Sequence, residues 1–226
     1  GAAGQLEGGG GDPAREELVH VAGQALGLAK VPGGPDPLPG RLLRHQALEP
    51  AEMALQMHRA AEAGTGPAPL ISALLRTADL LRLADRFEPA RQLANEAVDR
   101  LSSWPQAPVR MRVEAWRLQA LLLEQQGELD RASAVLQRAR DPAQPELATD
   151  LALHARLLQD EAALQVARQQ FGAAGLLYRE ALHAGLQAEG REARLLAARI
   201  RREMGDLAMR QGETPQALEL YRRLGR

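Results

Sequence analysis

The sequence predicts an all-α fold of antiparallel helix hairpins stacked into an α-solenoid, and three observations predict it. Apolar residues make up 45% of the 226-residue chain, yet aromatics are only 3% and isoleucine occurs only at Ile71 and Ile200. The apolar content is therefore mostly Leu and Ala, strong helix formers, whereas a sheet core draws on Val, Ile, Tyr and Phe. Breaks that no helix continues through recur along the chain: residues 64–69 (GTGPAP), 104–108 (WPQAP) and 141–145 (DPAQP) each hold two prolines. Between the breaks lies a repeat of constant length, which is the strongest of the three signals.

The elements follow in order. Residues 1–12 are Gly-rich, with little to bury, and read as a flexible segment or cloning remnant. A helix is expected over 13–29, with Asp12 as N-cap, Pro13 in the first turn, and Leu18, Val21, Ala22, Ala25, Leu26 and Ala29 on one face. Residues 30–40 (KVPGGPDPLPG) read as a Pro/Gly linker, and 41–226 as the helical repeat domain. Within it a partial repeat is expected over 41–63, then repeats over about 69–103, 108–140, 146–184 and 190–226.

Four segments superimpose without gaps, starting at Asp85 (DRFEPARQLANEA), Gly127 (GELDRASAVLQRA), Gln169 (QQFGAAGLLYREA) and Gly212 (GETPQALELYRRL). Five residues after each start stand Ala90, Ala132, Ala174 and Ala217; nine after, Ala94, Leu136, Tyr178 and Tyr221; twelve after, Ala97, Ala139, Ala181 and Leu224. Seven residues before each start stand Ala78, Ala120, Ala162 and Gly205, and eleven before, Leu74, Trp116, Leu158 and Arg201. Small residues at set points on both helices let two helices approach closely, and the larger ones fill the space between hairpins. No catalytic chemistry demands that spacing. On this pattern Trp116, Tyr178 and Tyr221 are packing residues, while Trp104, beside Pro105, fits hairpin packing and exposure equally well.

The pattern resembles the tetratricopeptide repeat: a small residue in the first helix, Gly at the turn, then small, aromatic and small residues along the second. Gly127, Ala132 and Ala139 follow it, with Trp116 where the family often has Trp; Gly205, Gly212, Ala217 and Tyr221 follow it in the last repeat. The period of 42 or 43 residues, set by starts at 85, 127, 169 and 212, resembles the longer-helix variety found in kinesin light chains and bacterial signalling regulators. The likeness covers residues 70–226, with a weaker echo of Phe87-Glu88-Pro89-Ala90 in Leu48-Glu49-Pro50-Ala51. Departures are Asp85 and Gln169 at the turn, and Gln165 and Arg201 at places usually apolar. The resemblance implies a right-handed superhelix whose first helices line a concave face that binds a peptide or partner protein.

That face would carry Arg76, Asp79 and Arg82, then Arg117, Leu121 and Glu124, then Arg156, Gln159 and Ala163, then Arg199, Arg202, Asp206 and Arg210. Lys30 is the only lysine, so every other basic residue is Arg, whose planar fork suits carboxylates. A carboxylate-bearing protein or peptide is the expected partner; the competing reading is a solvated face whose arginines pair with neighbouring Asp and Glu. The Lys and Asn clamp of chaperone-binding relatives is not carried over, since the face has neither.

Other functions find little support. A net charge of −1 supplies no global field for nucleic acid or anionic membrane, and no apolar run reaches the length of a span. With no signal peptide visible, the expected location is cytoplasmic. The absence of cysteine removes thiolate metal sites and cysteine nucleophiles. Asp150 and His154 are a lone pair without a third ligand, so no metal, cofactor or enzymatic activity is expected. Leu218, Leu220, Tyr221 and Leu224 would leave an apolar C-terminal edge, suited to further repeats or to a homo-oligomer. The alternative reading is a ligand-sensing or oligomerising module of a larger bacterial signalling or transcriptional regulator.

Overall fold

The computed structural model of the chain describes residues 38–223, all helical apart from short turns. The expected helix at 13–29, the segment 1–12 and Leu224 lie outside the described residues. The chain divides into two compact units, one ending at Ala90 and the other beginning at Arg91.

In the first unit α1 (Leu38–Thr65) and α2 (Pro67–Leu83) pack together, separated by Gly66 alone. Gly66 takes φ 72°, ψ 177°, a conformation that glycine tolerates, and Pro67 starts the next helix, where its missing N–H is not needed. Leu70, Ile71, Leu74 and Ala78 are buried on α2, facing a core to which α1 adds Ala47, Leu48 and Leu55. The buried Thr77 hydroxyl donates to the Ala51 carbonyl of α1 at 3.2 Å. Two sequence expectations differ from this. α1 begins at Leu38, inside the expected linker, and it runs unbroken through Pro50. The motif that opens a helix at Phe87 therefore sits mid-helix at Leu48, and the Gln46 carbonyl lacks an i+4 partner because proline has no N–H.

The next helix, α3 (Phe87–Ser102), is followed by α4 (Val109–Gln125) and α5 (Leu129–Arg140), then α7 (Leu151–Ala167) and α8 (Phe171–Gln187), then α9 (Gly190–Arg210) and α10 (Thr214–Arg222). A short α6 (Gln144–Leu147) lies between α5 and α7, preceded by a 3-10 turn at Asp141–Ala143. The third break is thus itself helical, because Pro145 falls in a first turn, and it buries Ala143 and Leu147.

All four hairpins turn in the same way. The residue opening each repeat has positive φ: Asp85 61°, Gly127 77°, Gln169 61° and Gly212 79°. The next N–H reaches back five residues, from Arg86 to Leu81, Glu128 to Leu123, Gln170 to Gln165 and Glu213 to Ala208, at 2.8–3.0 Å. A second bond, such as Gly127 N–H to the Glu124 carbonyl at 2.9 Å, completes a Schellman turn in each. The carbonyls of Arg86, Glu128, Gln170 and Glu213 then start the following helices by accepting from Ala90, Ala132, Ala174 and Ala217, all buried. One five-residue device closes one helix and opens the next, which is why the repeats keep phase. Left-handed backbone costs a non-glycine residue about 1 kcal/mol. Gln169→Gly is therefore expected to raise stability by about 0.5–1 kcal/mol, and Gly127→Ala to lower it by a similar amount. Urea midpoints of the two variants check this; a destabilised Gln169→Gly would refute it.

Within the second unit each first helix packs on its own partner and on the first helix of the next hairpin: α4 on α5 and α7, α7 on α8 and α9, α9 on α10. The middle helix α7 is buried on two sides. Leu153, Leu157 and Leu164 join the core of α4 and α5, while Ala155, Leu158 and Ala162 join that of α8 and α9. At the closest approach a Cβ on Gly185 would lie 3.7 Å from the Ala155 Cβ and 3.9 Å from the Ala197 Cβ, so three helices meet on small side chains. The fold is an all-α helical repeat. Among the described residues no helix is long and apolar enough to cross a membrane.

Candidate interaction face

The first helices α4, α7 and α9 supply the candidate face of the second unit, and polar side chains link each to the next. Arg117 of α4 donates to Asp160 of α7, with side chains only 12% and 8% exposed. Arg156 of α7 pairs with Glu192 of α9, and Gln159 donates to both Glu203 oxygens at 2.8 Å. Arg110 holds Asp150 at 3.1 Å, and the other Asp150 oxygen accepts the Leu153 N–H at 3.0 Å as the N-cap of α7. The residue considered as half of a metal pair with His154 is thus a cap. Among the described residues no group of three His, Asp or Glu side chains is placed to hold a metal ion.

Between α5 and α7, Arg140 pairs with Glu161 at 2.9 Å, and Arg168, just past the end of α7, pairs with Asp130 of α5 at 2.7 Å. Burial pushes the Glu161 carboxyl above the usual carboxylate range, although Arg140 pulls it down.

These contacts reassign several residues of the expected binding face. Arg117, Arg156 and Gln159 hold carboxylates of the next hairpin; Glu124 and Leu121 are half-buried. In the first unit Arg82 pairs with Asp79 at 2.7 Å, and Arg76 is exposed. On α9, Arg199, Arg202, Asp206 and Arg210 are exposed, and among the described residues Arg202 and Arg210 have no ion-pair partner. The partner carboxylates were missed from sequence, yet a signal existed. Arg117 and Asp160 are 43 residues apart, Gln159 and Glu203 44, Arg110 and Asp150 40. Each pair is separated by about one repeat, so searching for a carboxylate one period ahead of each Arg or amide would have found them.

The aromatic residues divide between packing and surface. Tyr178 is buried among Leu158, Ala162 and Ile200, and burial first, then nearby carboxylates, drives its hydroxyl well above the usual phenol value. Tyr221 is half-exposed rather than core. Its ring lies on Gly205, where a Cβ would come within 2.5 Å of the ring, and its hydroxyl donates to Asp206 at 2.7 Å. Desolvation and that bond push its pKa up to about 12. Trp104 is half-buried. Trp116 packs on the core of α4 and α5 as expected, but it also lines an open cleft with Arg138 stacked 5.2 Å above the ring.

No protein-family model and no characterised protein matches the sequence. Solved structures align with the chain along nearly its whole length. BtubC (BKLC) from P. vanneervenii superimposes with a TM-score of 0.58 at 14% identity, over 95% of this chain and 91% of that one. MamA from Desulfovibrio magneticus RS-1, residues 41 to the end, gives a TM-score of 0.46 at 11% identity, covering 94% of each chain. An ArsTM double mutant of MamA RS-1 gives 0.45 at 11% identity, over 94% of this chain and 93% of that one.

Proposed function

We propose that this chain is a protein-interaction scaffold of the long-repeat tetratricopeptide-like kind, which holds a carboxylate-bearing partner on the first helices of its hairpins and catalyses no reaction itself. One observation carries the reading. The face is closed by internal pairs at α4 and α7, but at α9 Arg202 and Arg210 stand exposed without a carboxylate. They are eight residues apart, so they lie on one side of the helix, and Asp206 between them is held by Tyr221. Two uncommitted guanidinium groups on a rigid helix suit an acidic segment of a partner. The recurrence of the second helices at Phe87, Leu129, Phe171 and Thr214 supports the long repeat.

Affinity capture from a lysate of the source organism tests this, comparing wild type with Arg202→Glu/Arg210→Glu. Both side chains are exposed, so the variant should fold. Partners held by the wild type and lost by the variant are the expected result. Equal retention would move the binding surface off α9.

A second reading is the oligomerising module of a larger bacterial regulator, and one observation favours it. Met209 and Leu218 are each 49% exposed at the edge formed by α9 and α10. Under that reading the chain self-associates in sedimentation, and Leu218→Glu abolishes the association.

A further inference from the structure

A cleft of about 350 Å³ opens in the second unit between the C-terminal end of α3, the turn at 103–108, α4 and α5. Its walls are apolar: Val98 and Leu101 of α3, Pro105 of the turn, and Trp116 of α4. Two cations stand at it, Arg112 one helical turn before Trp116, and Arg138 of α5 over the indole ring. Among the described residues no acidic side chain lines it. That sets the cleft apart from the face described above, where Arg110, Arg117 and Arg156 each hold a carboxylate of the same chain. Among the described residues, the Arg112 side chain makes only a 3.2 Å bond to the Pro105 carbonyl, and Arg138 makes only the ring contact.

We propose that this cleft docks an acidic peptide segment of a partner protein, seating one apolar side chain against Trp116 and placing a flanking carboxylate on Arg112 and Arg138. The charge argument is direct. A guanidinium carries five donors, and Arg112 commits one of them, so both groups retain the paired N–H edge that a carboxylate grips. The volume is at the small end for a ligand site and fits one or two side chains rather than a whole helix. Trp and Arg are also the residues that most often anchor an interface. The cleft is a different surface from the one proposed above, because Trp116 points about 100° round α4 from Arg117. It shares with that proposal the assumption of a carboxylate-bearing protein ligand, but not the surface.

Trp116 is its own reporter once Trp104 is replaced by Phe, since the chain has two tryptophans. The probes are capped peptides acetyl-Gly-Glu-X-Glu-Glu-Gly-amide with Leu, Phe or Met at X, and the same peptides with every Glu changed to Gln. At least one acidic peptide is expected to give a saturable shift of Trp116 emission. Its affinity should fall about tenfold or more for the Gln peptide and for Arg138→Glu, and fall with added salt. Ser102→Phe, at the exposed lip of the cleft, should block binding without changing charge or adding a second indole. Arg202→Glu should leave the titration unchanged, which separates this site from α9. Absence of a saturable response to all the acidic peptides, equal binding of the Gln peptides, or an Arg202→Glu effect as large as that of Arg138→Glu would each overturn the proposal.

Discussion

Arg117→Glu is expected to destabilise the protein by about 3–5 kcal/mol, the range for removing one partner of a buried ion pair. Asp160 is 8% exposed and sits on the buried side of α7, where water does not replace the lost guanidinium. A second carboxylate in the same space adds repulsion to desolvation. The pair joins α4 to α7, so the damage falls on the interface between two hairpins. In a stack held by nearest-neighbour interfaces, α4 and α5 should then unfold ahead of the rest, with a lower urea midpoint and a shallower transition. Arg117→Leu/Asp160→Leu is expected to recover most of the loss, because apolar side chains of similar size often replace a buried pair without penalty. A fully stable Arg117→Glu would show that Asp160 is solvated and would refute the linkage. The consequence for binding studies is practical: Arg117 variants report on folding, whereas Arg202 and Arg210 variants report on the surface.

Leu158→Ala should cost about 2–5 kcal/mol, and Arg201→Ala no more than about 0.5 kcal/mol, although the two positions are equivalent in the repeat. Leu158 is 1% exposed and packs with Tyr178, Ala162 and Ile200, so its removal leaves a cavity that rigid helices cannot close. Arg201 occupies the same place in the last hairpin but is half-exposed. No further hairpin packs over it among the described residues, and a charged side chain is tolerated there. Chemical denaturation of both variants checks the pair. Equal costs would mean that the repeat phase assigned to the last hairpin is wrong.

The Pro/Gly breaks and the helical content were legible because each is a local property of a few residues. The turn register was legible too, since Gly127 and Gly212 mark positions where φ is positive, and Asp85 and Gln169 stand 42 residues before and after Gly127. Counting from those marks placed Ala90, Ala132, Ala174, Ala78, Ala120 and Ala162 in the interior, and all six are buried. Pattern likeness did not carry over everywhere: Tyr221 is half-exposed, and Leu48-Glu49-Pro50-Ala51, which echoes the start of α3 at Phe87, lies inside α1. A proline is favoured at a helix start and removes a hydrogen bond inside one, and in α1, which packs on α2, Pro50 takes the interior place.

The sequence alone therefore determined the fold class, the turns and the small-residue packing, because chain-local backbone chemistry and helical spacing set all three. Only the tertiary structure decided which arginines are available. Arg117 and Arg202 look alike in sequence, each on the same face of a first helix. What distinguishes them is the carboxylate that the neighbouring hairpin carries to Arg117 and does not carry to Arg202, and that depends on how far one repeat is shifted against the next. The cleft at Trp116 has the same origin: Val98, Trp116 and Arg138 come from three helices, and their meeting is a product of stacking.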